Sequence, residues 1–142
     1  MSKIFQDWQF YLCLTLGPVS WWLISSALPV RDDLGQSLMP WHQLALIILV
    51  YPILEEIVFR GLLQEFLAKR IRYQYRLLTM ANVVTSLSFV LAHLIYNDWI
   101  WALLIFFPSL VFGYMKERHQ SLISPIILHS FYNAGFVWLF SV

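Results

Sequence analysis

The chain has 142 residues, which is enough for a single domain. Hydrophobic residues make up 60% of the sequence and charged residues only 12%, against about 25% charged residues in soluble domains. This composition argues against a soluble protein, and the net charge of +1 gives no indication of a nucleic-acid partner. We therefore predict one membrane-embedded domain over residues 1–142.

Five apolar stretches are long enough, or nearly so, to cross a ~30 Å hydrocarbon layer, which takes roughly 20 helical residues. In chain order they cover residues 8–28, 41–66, 77–96, 99–115 and 122–141. The predicted fold class is all-α, a polytopic transmembrane helix bundle of about five spans. Seven tryptophans lie near the predicted span ends and are interpreted as interfacial anchors: Trp8, Trp21, Trp22, Trp41, Trp99, Trp101 and Trp138.

Positive charge is concentrated in two of the loops between these stretches. The loop residues concerned are Lys69, Arg70, Arg72, Arg76, Lys116 and Arg118. Under the positive-inside rule, both loops lie in the cytoplasm. With an odd number of spans, the N-terminus is then inside and the C-terminus outside.

A few ionisable or amide side chains remain inside the apolar stretches: Glu55, Glu56, Arg60, His93, His129 and Asn133. Such groups are costly in a bilayer and mark functional sites by default. Glu56 and Arg60 are four residues apart, so they share a helix face and can form a salt bridge that fixes helix packing. Glu55 lies about 100° around the helix, and this pair does not account for it. A carboxylate in such a place is a candidate general base.

Two later stretches also carry polar faces. The third has a stripe with helical spacing, formed by Asn82, Ser86, Phe89 and His93. On its own, His93 could equally be a hydrogen-bonded core histidine. In the fifth stretch His129 and Asn133 share a face, and alone they could be interhelical hydrogen-bonding groups. Three helices with polar faces indicate a shared cavity.

Two kinds of hydrolysis fit these residue types. Glu55 and His93 could hold and deprotonate a water while His129 and Asn133 donate hydrogen bonds to an oxyanion. Alternatively, His93, His129 and a glutamate could bind zinc, with a metal-bound water as the nucleophile. No His-Glu-x-x-His helix is present, so zinc ligands would have to come from separate helices.

Three short motifs occur in order on these stretches: EEIVFR at 55–60, FVLAH at 89–93 and HSFYN at 129–133. They match the Glu-Glu-x-x-x-Arg, Phe-x-x-x-His and His-x-x-x-Asn motifs of one family. Over about residues 41–136, the motif core, the chain resembles the CAAX protease and bacteriocin-processing (Abi) family, which includes the type II CAAX prenyl endopeptidases. Many of its members have six to eight spans, so this chain is small. Nothing in it specifically selects prenylated substrates.

The resemblance implies a glutamic-type intramembrane endopeptidase, a multi-pass protein of a bacterial or archaeal plasma membrane. Glu55 and His93 would activate the water, and His129 with Asn133 would form the oxyanion site. Supporting or substrate-positioning roles would fall to Glu56, Arg60 and Phe89. We expect no metal or other cofactor, with a zinc-dependent hydrolase as the alternative. The expected partners are a membrane-anchored protein or peptide substrate and the lipid bilayer, with no nucleic acid.

Other readings of the same residues remain open. A non-enzymatic scaffold or chaperone would keep the polar cavity, and a proton or ion pathway could also use Glu and His chains. By simple counting, Glu55 lies near mid-membrane and His93 nearer the outer boundary. They could share a water only if the third helix starts later than residue 77, with residues 73–78 along the interface, or if the helices are strongly tilted.

Overall fold

In the computed structural model, residues 2–27 and 39–140 are described, and most of them are helical. The helices are α1 Ser2–Phe5, α2 Trp8–Ser25, α3 Trp41–Ala45, α4 Tyr51–Glu56, α5 Glu65–Ala68, α6 Met80–His93, α7 Trp99–Leu104, α8 Phe106–His119 and α9 Ile123–Leu139. Two π-helical segments, π1 Leu46–Val50 and π2 Ile57–Gln64, link α3, α4 and α5 into one helical run over residues 41–68. The helical architecture predicted from the sequence is confirmed.

The two strands form a short hairpin that ends where α6 begins. β1 Gln74–Tyr75 pairs antiparallel with β2 Leu78–Thr79. The Thr79 hydroxyl then accepts a hydrogen bond from the Asn82 backbone N–H at 3.0 Å, which caps α6 at its first turn. The helix of the third predicted span, α6, therefore starts at Met80, later than residue 77. A place for residues 73–78 along the membrane interface stays a prediction.

The chain forms two compact units. The terminal unit comprises residues 1–53 and 127–142, and the central unit comprises residues 54–126. The single domain expected from the sequence stays a prediction.

In the terminal unit, α2 and α9 pack closely through small residues. A methyl group added at Gly135 would overlap the indole of Trp21, and one added at Gly17 would press on the Tyr132 ring. The Tyr132 hydroxyl donates a hydrogen bond to the Cys13 carbonyl at 2.6 Å. The Trp21 ring centroid also lies 5.3 Å from that of Phe131, so the indole takes part in this packing, and its role as an interfacial anchor stays a prediction.

In the central unit, α6 packs against α8 at a similarly close approach. A methyl group added at Gly113 would overlap the side-chain amide of Asn82. The absence of a Cβ there leaves room for that amide, which donates to the Leu110 carbonyl at 3.0 Å and accepts from the Ser86 hydroxyl at 3.2 Å. Asn82, the first residue of the polar stripe predicted for the third span, thus lies in a contact between α6 and α8.

Among the described residues, the stretch Trp99–His119 is long and apolar enough to cross a membrane by length and composition. Met80–His93 is apolar but shorter. Large apolar side chains are exposed on the central unit, as on helices that face lipid, for example at Leu62, Leu91, Leu103 and Phe107. The count of five spans and the orientation stay predictions.

Candidate active site

The salt bridge predicted between Glu56 and Arg60 is present in the central unit. Arg60 Nη1 lies 2.8 Å from Glu56 Oε1, and both side chains are fully buried. Arg60 Nη2 donates to Ser109 at two atoms, the carbonyl oxygen at 3.0 Å and Oγ at 2.7 Å. One guanidinium therefore joins α4, π2 and α8, which agrees with the packing role that the spacing predicts.

Aromatic rings complete the surroundings of the Arg60 guanidinium. Its Cζ lies 4.7 Å from the Phe89 ring centroid and 5.5 Å from that of Phe112, distances at which cations and ring faces attract. Phe59 meets the Phe89 ring edge-on at 4.9 Å. Phe89, the first residue of the second motif, is thus held in place from two directions.

His93 is oriented by the same phenylalanine. Its Nδ1 lies 2.9 Å from the Phe89 carbonyl oxygen, and the two rings are 4.3 Å apart. A carbonyl oxygen can only accept a hydrogen bond, so Nδ1 carries the proton and donates. In the neutral imidazole Nε2 then keeps its lone pair. This is the tautomer in which a histidine accepts a proton or orients a water through Nε2.

Glu55 lies at the penultimate position of α4, partly buried, next to the fully buried Glu56. Two neighbouring carboxylates thus differ in environment. Glu56 bonds to Arg60 inside the packing between helices, whereas Glu55 retains partial exposure. A group that must meet both a water and a substrate needs such access.

The polar residues that extend the helix face of Glu56 and Arg60 were not identified from the sequence. Gln64, four residues after Arg60, is fully buried, and its Nε2 donates to Glu117 Oε1 at 2.7 Å and to the Gly113 carbonyl at 3.2 Å. Glu117 also accepts from the Thr79 hydroxyl. The spacing of four that joined Glu56 to Arg60 extends to Gln64 and could have revealed it. Ser109 had no comparable signal, because it lies 49 positions away.

The third motif lies in the terminal unit, on α9. His129 is buried, and Asn133 Nδ2 donates to the Ile47 carbonyl oxygen at 2.9 Å. The structure therefore places Glu55 and His93 in the central unit and these two residues in the terminal unit. A shared cavity formed by all four stays a prediction.

Metal binding was the alternative for these residue types. Within either unit, the described residues include no group of three or more His, Cys, Asp or Glu side chains positioned to hold a metal ion.

Comparison with known protein families identifies the family of this chain. The family described as type II CAAX prenyl endopeptidase, Rce1-like, matches residues 37–135, well over half of the sequence. The chain belongs to this family. All three motifs of the Rce1-like chain fall inside the matched range, and the family consists of membrane-integral proteases, so the predicted family is confirmed. No curated protein and no solved structure matches the chain.

Proposed function

We propose that the chain is a glutamic-type intramembrane endopeptidase that hydrolyses a peptide bond of a membrane-anchored or membrane-proximal protein. The observation that carries the proposal is the Rce1-like match over residues 37–135, which contains all three motifs in order. The apolar helical stretch Trp99–His119 supports a place in the membrane. We further propose a multi-pass protein of about five spans in a bacterial or archaeal plasma membrane, with the N-terminus inside.

The proposed reaction needs two acceptors for one water. The water donates one hydrogen to the Glu55 carboxylate and the other to His93 Nε2, which leaves an oxygen lone pair for the scissile carbonyl carbon. The Phe89 carbonyl supports this role, because its hydrogen bond with Nδ1 leaves Nε2 as the acceptor. Glu55 takes the proton as the carbon–oxygen bond forms.

The tetrahedral intermediate then carries a negative oxygen. His129 and Asn133 are the proposed donors to this oxyanion, in a place where preorganised hydrogen bonds lower the barrier. When the carbon–nitrogen bond breaks, Glu55 returns the proton to the leaving amine. The products are a new carboxyl terminus and a new amino terminus, and one water is consumed.

The Glu56–Arg60 pair has a different proposed role. Its buried salt bridge and the bonds to Ser109 hold π2 against α8, while the guanidinium supports the Phe89 ring that orients His93. Glu56, Arg60 and Phe89 are therefore supporting residues in this proposal. Only Glu55 of the two adjacent glutamates acts on the water.

Purified protein in liposomes tests the proposal, with a prenylated CAAX peptide and an unprenylated transmembrane peptide as two probe substrates. We expect Glu55→Gln and His93→Ala each to slow cleavage by on the order of 10²- to 10⁴-fold, the usual contribution of a general base. Glu65→Gln is the matched control, because Glu65 belongs to the same helical run but is half exposed and pairs with Lys116. Wild-type rates from both site variants would exclude the assignment.

The same preparation tests metal dependence. The proposed mechanism uses no metal, so we expect active enzyme without stoichiometric zinc and unchanged rates after chelation. Loss of activity on chelation, restored by added zinc, would instead establish the zinc-dependent hydrolase.

A further inference from the structure

The carbonyl of Ile47 has lost its helical hydrogen-bond donor. Ile47 lies in π1. In an α-helix its carbonyl would accept a hydrogen bond from the Tyr51 N–H, but here that N–H donates to the Leu46 carbonyl, five residues back. In the same π-helical register, the Ile47 carbonyl would accept a hydrogen bond from the N–H of residue 52. That residue is Pro52, which has no N–H.

A side chain from α9 occupies the position of that donor. Asn133 Nδ2 lies 2.9 Å from the Ile47 carbonyl oxygen, a normal hydrogen-bond length, and both residues belong to the terminal unit. In membrane helices that contain proline, side chains of neighbouring helices are among the groups that satisfy the freed carbonyl, because bulk water does not reach it there. The proline and the asparagine are therefore complementary parts of one contact.

The contact also orients the asparagine. A primary amide has two N–H donors, and the bond to Ile47 fixes the rotation of the group, so the direction of its second N–H is fixed as well. The carbonyl that it contacts lies in π1, and the next element along the chain, α4, carries Glu55.

We propose that Asn133 is a positioning residue whose side-chain amide replaces the backbone donor that Pro52 lacks, and that it thereby anchors the helical segment preceding Glu55. This role is additional to the proposed contact of its second N–H with the oxyanion. Its effect on cleavage rests on the proposed function, whereas its effect on stability does not.

A double-mutant cycle tests the contact in the full chain in bicelles. We expect Asn133→Ala to raise the unfolding equilibrium constant by on the order of tenfold, the effect of leaving such a carbonyl without a donor. In the Pro52→Ala background the restored N–H can donate to Ile47, so the same change should have little effect. Equal effects of Asn133→Ala in the two backgrounds would overturn the proposal.

Pro18 provides the matched control. It lies inside α2 of the same unit and is exposed, so Pro18→Ala should leave the effect of Asn133→Ala unchanged. If Asn133→Ala does not fold, Asn133→Leu keeps a similar side-chain shape but carries no hydrogen-bond donor. Asn133→Leu should lose stability and regain it with Pro52→Ala; stability equal to wild type would contradict the proposed contact.

A kinetic arm separates positioning from a purely oxyanion-binding role. We expect the double variant, Asn133→Ala with Pro52→Ala, to recover on the order of tenfold in kcat over Asn133→Ala alone, compared at equal folded protein. A double variant that folds but cleaves no faster than Asn133→Ala would refute positioning. If even the wild-type protein cleaves neither probe peptide, the proposed function fails, while the stability cycle still decides the contact.

Discussion

Removal of the Arg60 guanidinium is the perturbation whose cost the structure defines best. Arg60→Met keeps the apolar stem but deletes hydrogen bonds to Glu56 Oε1 at 2.8 Å and to Ser109 at 3.0 and 2.7 Å. It also leaves the Glu56 carboxylate fully buried in the absence of the cation that neutralises it. Breaking a buried ion pair from one side costs about 3–5 kcal/mol. We therefore expect the free energy of unfolding to fall by about that amount.

Two further variants make this prediction specific to the buried pair. Adding Glu56→Leu to Arg60→Met removes the stranded charge, and replacing both members of a buried pair by apolar residues is often close to neutral. The double variant should therefore be more stable than Arg60→Met alone. Lys116→Met is the matched control: Lys116 pairs with Glu65 at 3.1 Å, but Glu65 is half exposed, so its loss should cost about 0–1 kcal/mol.

Chemical unfolding of the purified variants in bicelles measures these differences. The predicted order of stability places Arg60→Met well below both the double variant and Lys116→Met. An Arg60→Met protein no less stable than Lys116→Met would refute the reasoning, because a fully buried ion pair and one whose carboxylate is half exposed would then contribute equally.

Alanine substitutions at three glycines test the helix packing. Gly113→Ala should lower the free energy of unfolding by about 1–3 kcal/mol through overpacking, because the added methyl overlaps the Asn82 amide. Gly61→Ala should be neutral or slightly stabilising, because the nearest atom, at 3.2 Å, is the end of a flexible leucine side chain. Thermal denaturation that ranks the two variants the other way would contradict the α6–α8 contact. Gly135→Ala should be similarly costly because of the Trp21 indole, and Trp21→Leu should restore part of the lost melting temperature, so the absence of any rescue would argue against this packing.

Local spacing predicted much of the helical structure and one ion pair. The Glu56–Arg60 salt bridge was predictable because the two residues are four positions apart and so lie on the same helix face. The stripe from Asn82 to His93 is likewise visible in α6, where Ser86 bonds to Asn82 and Phe89 contacts His93. Such contacts depend on residues a few positions apart, which the sequence displays directly.

Contacts between distant segments were not predictable in the same way. Ser109 is a small hydroxyl on an apolar helix, and only the fold brings it to Arg60. The span-end rule predicts an anchoring role for Trp21, but it does not reveal that Gly135, which has no Cβ, leaves room for the indole to pack against α9. A two-residue strand such as β1 carries no periodic signal.

The π-helical segments explain why the Asn133 contact escaped sequence reasoning. A helix-face argument assumes 3.6 residues per turn, and π1 changes which backbone donor serves Ile47. The consequence of Pro52 therefore becomes visible only once the register is known. The motif spacing identified Asn133 as a candidate functional residue but could not identify the carbonyl that it contacts.

The central claim is that Glu55 is the base that activates water. Quantitative mapping of new protein termini in cells tests it whatever the substrate is, by comparing wild type with Glu55→Gln at equal amounts of folded protein. The account predicts at least one membrane-anchored protein that is cut in wild-type cells and accumulates uncut in Glu55→Gln cells. The same new termini at the same abundance in both would contradict it.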